Sequence, residues 1–171
     1  MISKALHIQQ PYSGEYTEKI YDIESCWNSS EWSWIRFEND NEIWCGEFRG
    51  KFRGVALSEK LQITVVLTSD YMYVLDSNTA EVIDYLSQPQ YLDITITPLQ
   101  DILITDSYGI EILKGNKLAS IESIVMPIQV EDLQFEEYVG NCLRMTCYEF
   151  LAWDKRVELY LDCNSFKWVD G

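Results

Sequence analysis

Leu61-Gln62-Ile63-Thr64-Val65-Val66-Leu67-Thr68-Ser69-Asp70-Tyr71-Met72-Tyr73-Val74-Leu75-Asp76-Ser77-Asn78-Thr79-Ala80-Glu81-Val82-Ile83 reads as three short strands joined by two turns. Leu61 to Thr68 is rich in β-branched residues, and Tyr71 to Leu75 is a second apolar run after Ser69-Asp70. Such residues fit a pleated, packed surface better than a helix. Asp76-Ser77-Asn78-Thr79 is turn chemistry, because short polar side chains bond their own backbone and tolerate left-handed conformations. Val82 to Leu86 then closes a hairpin. The segment predicts a meander of antiparallel strands.

Working outward, the same pattern recurs. Trp32 to Glu38 alternates, Asn39-Asp40-Asn41 supplies a turn, and Ile43 to Phe48 is the returning arm. Gly46, Gly50 and Gly54 mark bulges or close backbone approaches, and Val55 to Leu57 resumes the sheet. Leu92 to Thr97 alternates until Pro98, which cannot donate to a ladder. Ile102 to Thr105, Ile110 to Leu113 and Leu118 to Ile121 follow, separated by polar turns. Val130 to Tyr138 is the one stretch that reads as helix or irregular connector. Leu143 to Tyr148 returns to strand, Asp154-Lys155-Arg156 turns into Val157 to Asp162, and Cys163-Asn164-Ser165 turns into Phe166 to Val169. The expected fold class is mainly β: an antiparallel meander forming a sandwich, open barrel or partial propeller-like sheets, with at most one or two short helices.

Two units are alike. Leu61-Gln62 leading to Leu67-Thr68-Ser69-Asp70-Tyr71 is echoed by Leu99-Gln100 leading to Ile104-Thr105-Asp106-Ser107-Tyr108, which predicts an internal repeat covering 61–83 and 99–121. Tyr73 to Ile83, with its apolar strand, Asp, Thr-containing turn and returning strand, resembles the inner hairpin of a β-propeller blade. The likeness covers roughly Leu61 to Ile121 and implies the meander alone, since 171 residues are few for a ring of typically four to eight four-stranded blades.

Length and composition predict one domain over 1–171 with a well-filled core. Hydrophobic residues reach 47% and charged residues 24%, well away from the disordered regime. The net charge of −15, from 28 acidic against 13 basic residues, is the strongest compositional signal. A field of that sign repels phosphate backbones and anionic lipid and attracts cationic proteins. Nucleic acid and membrane are therefore not expected as partners; a basic protein is. The opening Met1–Pro11 lacks the apolar core of a secretory signal, and no run approaches the ~18 apolar residues of a membrane span. With five unpaired-looking cysteines at Cys26, Cys45, Cys142, Cys147 and Cys163, the expectation is a bacterial cytoplasmic chain with free thiols.

Residues that could carry chemistry are sparse. His7 is the single histidine and has no neighbouring nucleophile in sequence, so Ser-His and Cys-His sites lack support. One His and scattered Cys do not make a zinc site. Asp76-Ser77-Asn78 and Asn39-Asp40-Asn41 lack the glycine and terminal Glu of an EF-hand and are read as turns. No phosphate-cradling glycine loop occurs. Arg49, Lys51 and Arg53 would share one face if they lay on a strand; such a stripe could hold phosphate or RNA, and cross-strand pairing with acids is the favoured reading. Trp27, Trp32, Trp34 and Trp44 are read as core. No catalytic, metal or cofactor site is expected, and the chain is read as non-enzymatic.

In composition, as a small, acidic, aromatic-rich chain without catalytic residues, the protein is similar to bacterial immunity proteins. That implies a binding module that neutralises a cationic toxin such as a nuclease, whose basic groove would draw in an acidic partner. The alternatives are a structural or scaffold β-module acting as an oligomer, and an enzyme with an unrecognised carboxylate site. The expected partner-binding residues are Glu131, Asp132, Glu136 and Glu137 on the least sheet-committed segment, then Asp40, Glu42, Asp101 and Asp106 near strand ends.

Overall fold

The computed structural model describes residues 1–170. Among the described residues sixteen strands form four four-stranded sheets that follow one another along the chain. The first holds β1 (Lys4–Ile8), β2 (Thr17–Tyr21), β3 (Trp32–Glu38) and β4 (Ile43–Arg49), in the order β1-β3-β4-β2. The second is β5 (Phe52–Ser58), β6 (Ile63–Thr68), β7 (Tyr71–Asp76) and β8 (Val82–Ser87). The third is β9 (Asp93–Ile96), β10 (Ile102–Thr105), β11 (Ile110–Leu113) and β12 (Ile121–Ile124). The fourth is β13 (Val130–Val139), β14 (Cys142–Glu149), β15 (Ala152–Asp162) and β16 (Lys167–Val169). The last three sheets are simple antiparallel meanders. The expected mainly β, antiparallel architecture is what the chain adopts, and among the described residues the one helical element is a 3-10 turn at Leu118–Ser120.

Three apolar clusters join consecutive sheets. Phe37, Trp44 and Phe48 of the first sheet pack on Tyr71, Tyr73 and Leu75 of the second. Val65, Leu67 and Met72 of the second meet Ile94, Ile102 and Ile104 of the third. Leu103, Ile110 and Ile112 of the third meet Leu143, Met145 and Leu161 of the fourth. Every residue of β6 is buried, which explains its continuous apolar run: a sheet covered on both faces has no polar side to alternate with. β5 lies beside both β1 and β9, and β9 beside β13. The opening strands of the four sheets therefore lie in series along one side of a stack.

The repeated segments hold equivalent places, as strands two to four of the second and third sheets. Gln62 and Gln100 both adopt left-handed backbone, with φ of 55° and 66°. Thr68 and Thr105 each turn their hydroxyl back onto the hairpin they open, donating to Tyr71 O at 3.1 Å and Gly109 O at 2.8 Å.

Four local readings are corrected. Val130–Val139 is a strand, its period of two obscured by register shifts between Glu131 and Gln134 and between Phe135 and Tyr138. Asp154-Lys155-Arg156 lies within β15, while the turn falls at Phe150 and left-handed Leu151. Arg49, Lys51 and Arg53 do not share one strand face: Gly50, at φ 100°, turns the chain from the first sheet to the second between them. Of the four tryptophans read as core, Trp44 is buried, Trp32 and Trp34 are half-buried and Trp27 is exposed. Strands β1 and β2 were not signalled by the local pattern.

The two end faces of the stack are finished differently. β2 runs parallel to β4, and β1 is antiparallel to β3, which is antiparallel to β4. β1 and β2 are thus parallel, and their connection Gln9–Tyr16 has to cross the sheet. With the inner face filled by the second sheet, it crosses the outer one. Tyr16 there lies near the Arg36 guanidinium and Glu15 near Cys45, whose thiol is fully buried although its strand position faces outward. The outer face of the fourth sheet is polar. Arg144 pairs with Glu137 at 3.2 Å and Glu158 at 3.0 Å, and Arg156 lies 3.6 Å from Glu136.

Candidate functional site

Apolar surface is left open where turns of the third and fourth sheets meet. A depression of about 490 Å³ is lined by Tyr108, Met126, Pro127, Ile128, Val130 and Phe150. Across Tyr108 a second depression, of about 470 Å³, is lined by Ser107, Tyr108, Glu131, Asp132, Tyr148 and Trp153. Together they form a groove of aromatic and aliphatic side chains with two carboxylates, the composition of a recognition surface.

Local chain chemistry places each wall. Asp106 Oδ1 accepts the backbone N–H groups of Tyr108 at 2.7 Å and Gly109 at 2.8 Å, fixing the β10–β11 turn that presents Tyr108. The bulge in β13 leaves Asp132 at φ 53°, exposed, while Leu133 N–H donates to Ser107 O at 3.3 Å and ties this bulge to that turn. Tyr148 pairs with Arg156 and Glu149 with Ala152, so Trp153 to Lys155 are unmatched and bulge outward. Trp153 is accordingly 70% exposed. Glu131 is 9% exposed, and its Oε1 accepts the Leu151 N–H at 2.9 Å. Neither Glu131 nor Asp132 has a cationic partner among the described residues.

The structure brings Glu131 and Asp132 into the groove, whereas Asp106 lies outside its lining and works as the former of the turn that presents Tyr108. Glu136 and Glu137 lie on the same strand but belong to the ion pairs of the outer face; Glu136 also accepts from Thr146 Oγ1 at 2.7 Å. Asp40 and Glu42 are exposed in the β3–β4 loop of the first sheet. Asp101 is buried, with Lys60 Nζ 2.6 Å from its carboxylate. Tyr108, Tyr148, Phe150 and Trp153 carry no shared signal in the sequence because two turns far apart in the chain, β10–β11 and β14–β15, gather them; Phe150-Leu151-Ala152-Trp153, apolar where a turn is needed, was the available signal.

Other groups singled out in the sequence serve the fold. Arg49 grips Asp22 with two nitrogens, at 2.7 and 3.1 Å, and lies 3.8 Å over the Trp32 ring. That contact holds the Asp22 carboxyl below its ordinary range. Arg53 donates to the carbonyls of Pro89 and Tyr91. His7 stacks on Phe52 with centroids 4.0 Å apart, and partial burial lowers its pKa. The five cysteines are free thiols; burial pushes Cys45 and Cys163 up to about 11, which leaves little thiolate. Asp76 Oδ1 accepts the N–H groups of Asn78 and Thr79, as a turn requires. Among the described residues no three His, Cys, Asp or Glu side chains converge to hold a metal ion, and no helix is long and apolar enough to cross a membrane.

No protein-family profile matches the chain, and no curated protein matches it. Among solved structures it is similar to the N-terminal domain of Nup159, at 10% identity and a TM-score of 0.45. That match covers 71% of this chain and 34% of the other, so the chain spans about a third of that structure. A likeness so loose carries nothing about function.

Proposed function

We propose that the chain is a non-enzymatic protein-binding module whose partner is a basic protein. Within that class it is read as an immunity protein that neutralises a cationic toxin, such as a nuclease, in the bacterial cytoplasm. The observation that carries this reading is an exposed aromatic groove holding two carboxylates without cations, in a molecule of net charge −15. Large aromatics supply contact area at low entropic cost, and the field speeds encounter with a positive surface. A nuclease must present such a surface to bind its own substrate.

The test is affinity capture from the source cytoplasm at low and high salt, followed by assay of the captured protein for nuclease activity with and without this chain. The expected result is a partner of high isoelectric point whose activity is silenced and whose association slows as salt rises. Capture of acidic or neutral partners alone, or association indifferent to salt, refutes it. Asp132→Lys should slow that association. It is a cleaner probe than reversal of Glu131, Glu136 or Glu137, whose carboxylates hold a backbone N–H or a cation within this chain.

A further inference from the structure

We infer that the depression walled by Tyr108, Tyr148 and Trp153 is a receptor for an arginine side chain of the partner, with the adjoining pocket at Ile128 and Phe150 taking an apolar neighbour of that arginine. The inference rests on the functional reading for the source of the arginine, and on the geometry for its chemistry.

Three aromatic side chains and two carboxylates line one small depression. Ring faces attract cations through their quadrupole, and carboxylates add full negative charge. A cation is the ligand that satisfies both. Among the described residues none is supplied: Lys155 pairs with Glu149, and Arg156 reaches Thr146 Oγ1 at 2.9 Å and the Glu136 carboxylate at 3.6 Å. Glu131 sharpens the preference for a cation through its burial. It is almost fully buried, one oxygen is held by the Leu151 N–H, and no ion pair offsets its charge; a carboxylate so placed gains most from an arriving cation.

Arginine fits better than lysine or a metal ion. Its planar guanidinium stacks on rings while its fork of N–H donors meets carboxylate oxygens, whereas an ammonium is a compact, strongly hydrated point charge. Two carboxylates offer a hard metal ion far fewer than the six or more oxygens it prefers. The apolar pocket shares the Tyr108 wall, so an arginine and an aliphatic residue close to it in sequence can be seated together.

The experiment is a ¹⁵N–¹H nuclear magnetic resonance titration of the full chain with acetyl-Leu-Arg-Leu-amide, compared with the same peptide carrying lysine or the uncharged arginine isostere citrulline. Shifts of the Trp153 indole N–H and of the Asp132 and Leu151 amides are expected, strongest with arginine and weakest with citrulline. Trp153→Ala should weaken binding roughly tenfold. Asp132→Asn should weaken it too while keeping the bulge, since Asn tolerates a left-handed backbone. Trp153 and Asp132 are both exposed, so neither change threatens the fold. Equal responses to arginine and citrulline, or unchanged binding by both variants, overturn the inference. A silent groove alongside salt-dependent capture of a basic protein overturns this inference and leaves the functional reading standing. A responding groove with no basic protein captured keeps the site and removes that reading.

Discussion

Gly54 sits where the opening strands of the second and third sheets touch. A Cβ built on it would lie 2.5 Å from Ile94 Cγ2, against 3.5 Å from Ile94 N and 3.6 Å from Asp93 Oδ1. Carbon atoms prefer about 3.5–4.0 Å, so Gly54→Ala has to displace one methyl group by about 1 Å. Ile94 is buried in the cluster between these sheets, and overpacking of that kind costs about 1–3 kcal/mol. The alanine also restricts the unfolded chain, which offsets about 0.4–1 kcal/mol. The net loss is then between nothing and about 2.6 kcal/mol, a fall in Tm of up to roughly 10 °C for a chain of this size. Ile94→Leu removes the offending Cγ2 branch at a cost below about 1.5 kcal/mol. The double variant should therefore be more stable than the two single losses imply, by about 1 kcal/mol. Urea unfolding of the four proteins, followed by tryptophan fluorescence and circular dichroism, measures the cycle. Strict additivity across the cycle refutes the packing argument.

Two further outcomes follow from the same structure. Burial raises the Asp93 carboxyl above its ordinary range, partly offset by the Ile94 N–H it accepts. A raised folded pKa gives a contribution fully present below the unfolded value of about 4 and lost as pH rises through the folded one. Asp93→Asn should accordingly be more stable than the parent at neutral pH and indistinguishable below about pH 4; a gap that ignores pH in paired urea titrations would count against this. Tyr73 is fully buried and donates its hydroxyl proton to Tyr21 O at 3.0 Å across the first two sheets, so Tyr73→Phe should cost about 1–3 kcal/mol by leaving that carbonyl unpaired, and an unchanged denaturation midpoint would show the bond contributes nothing net.

What could be read without coordinates is what local chemistry controls. Asp76 marks its hairpin because its own side chain closes the turn, and β6 is visible because burial on both faces demands an unbroken apolar run. β13 was misread because two bulges break its alternation. β2 was missed for a different reason: its neighbour β4 is reached only through a crossover, which no turn motif announces. The groove divides in the same way. Glu131 and Asp132 stood out as acids without an evident strand role, whereas the convergence of Tyr108, Tyr148 and Trp153 depends on how two sheets stack.

The crossover Gln9–Tyr16 also sets an order of events. In the second, third and fourth sheets each strand pairs with the next along the chain, so these meanders zip through short loops with little closure entropy. In the first sheet β1 waits for β3, and β2 for β4. The β3–β4 hairpin, closed by its own short loop, therefore lays Phe37, Trp44 and Phe48 on Tyr71 and Tyr73 before β1 and β2 join the sheet at its two edges.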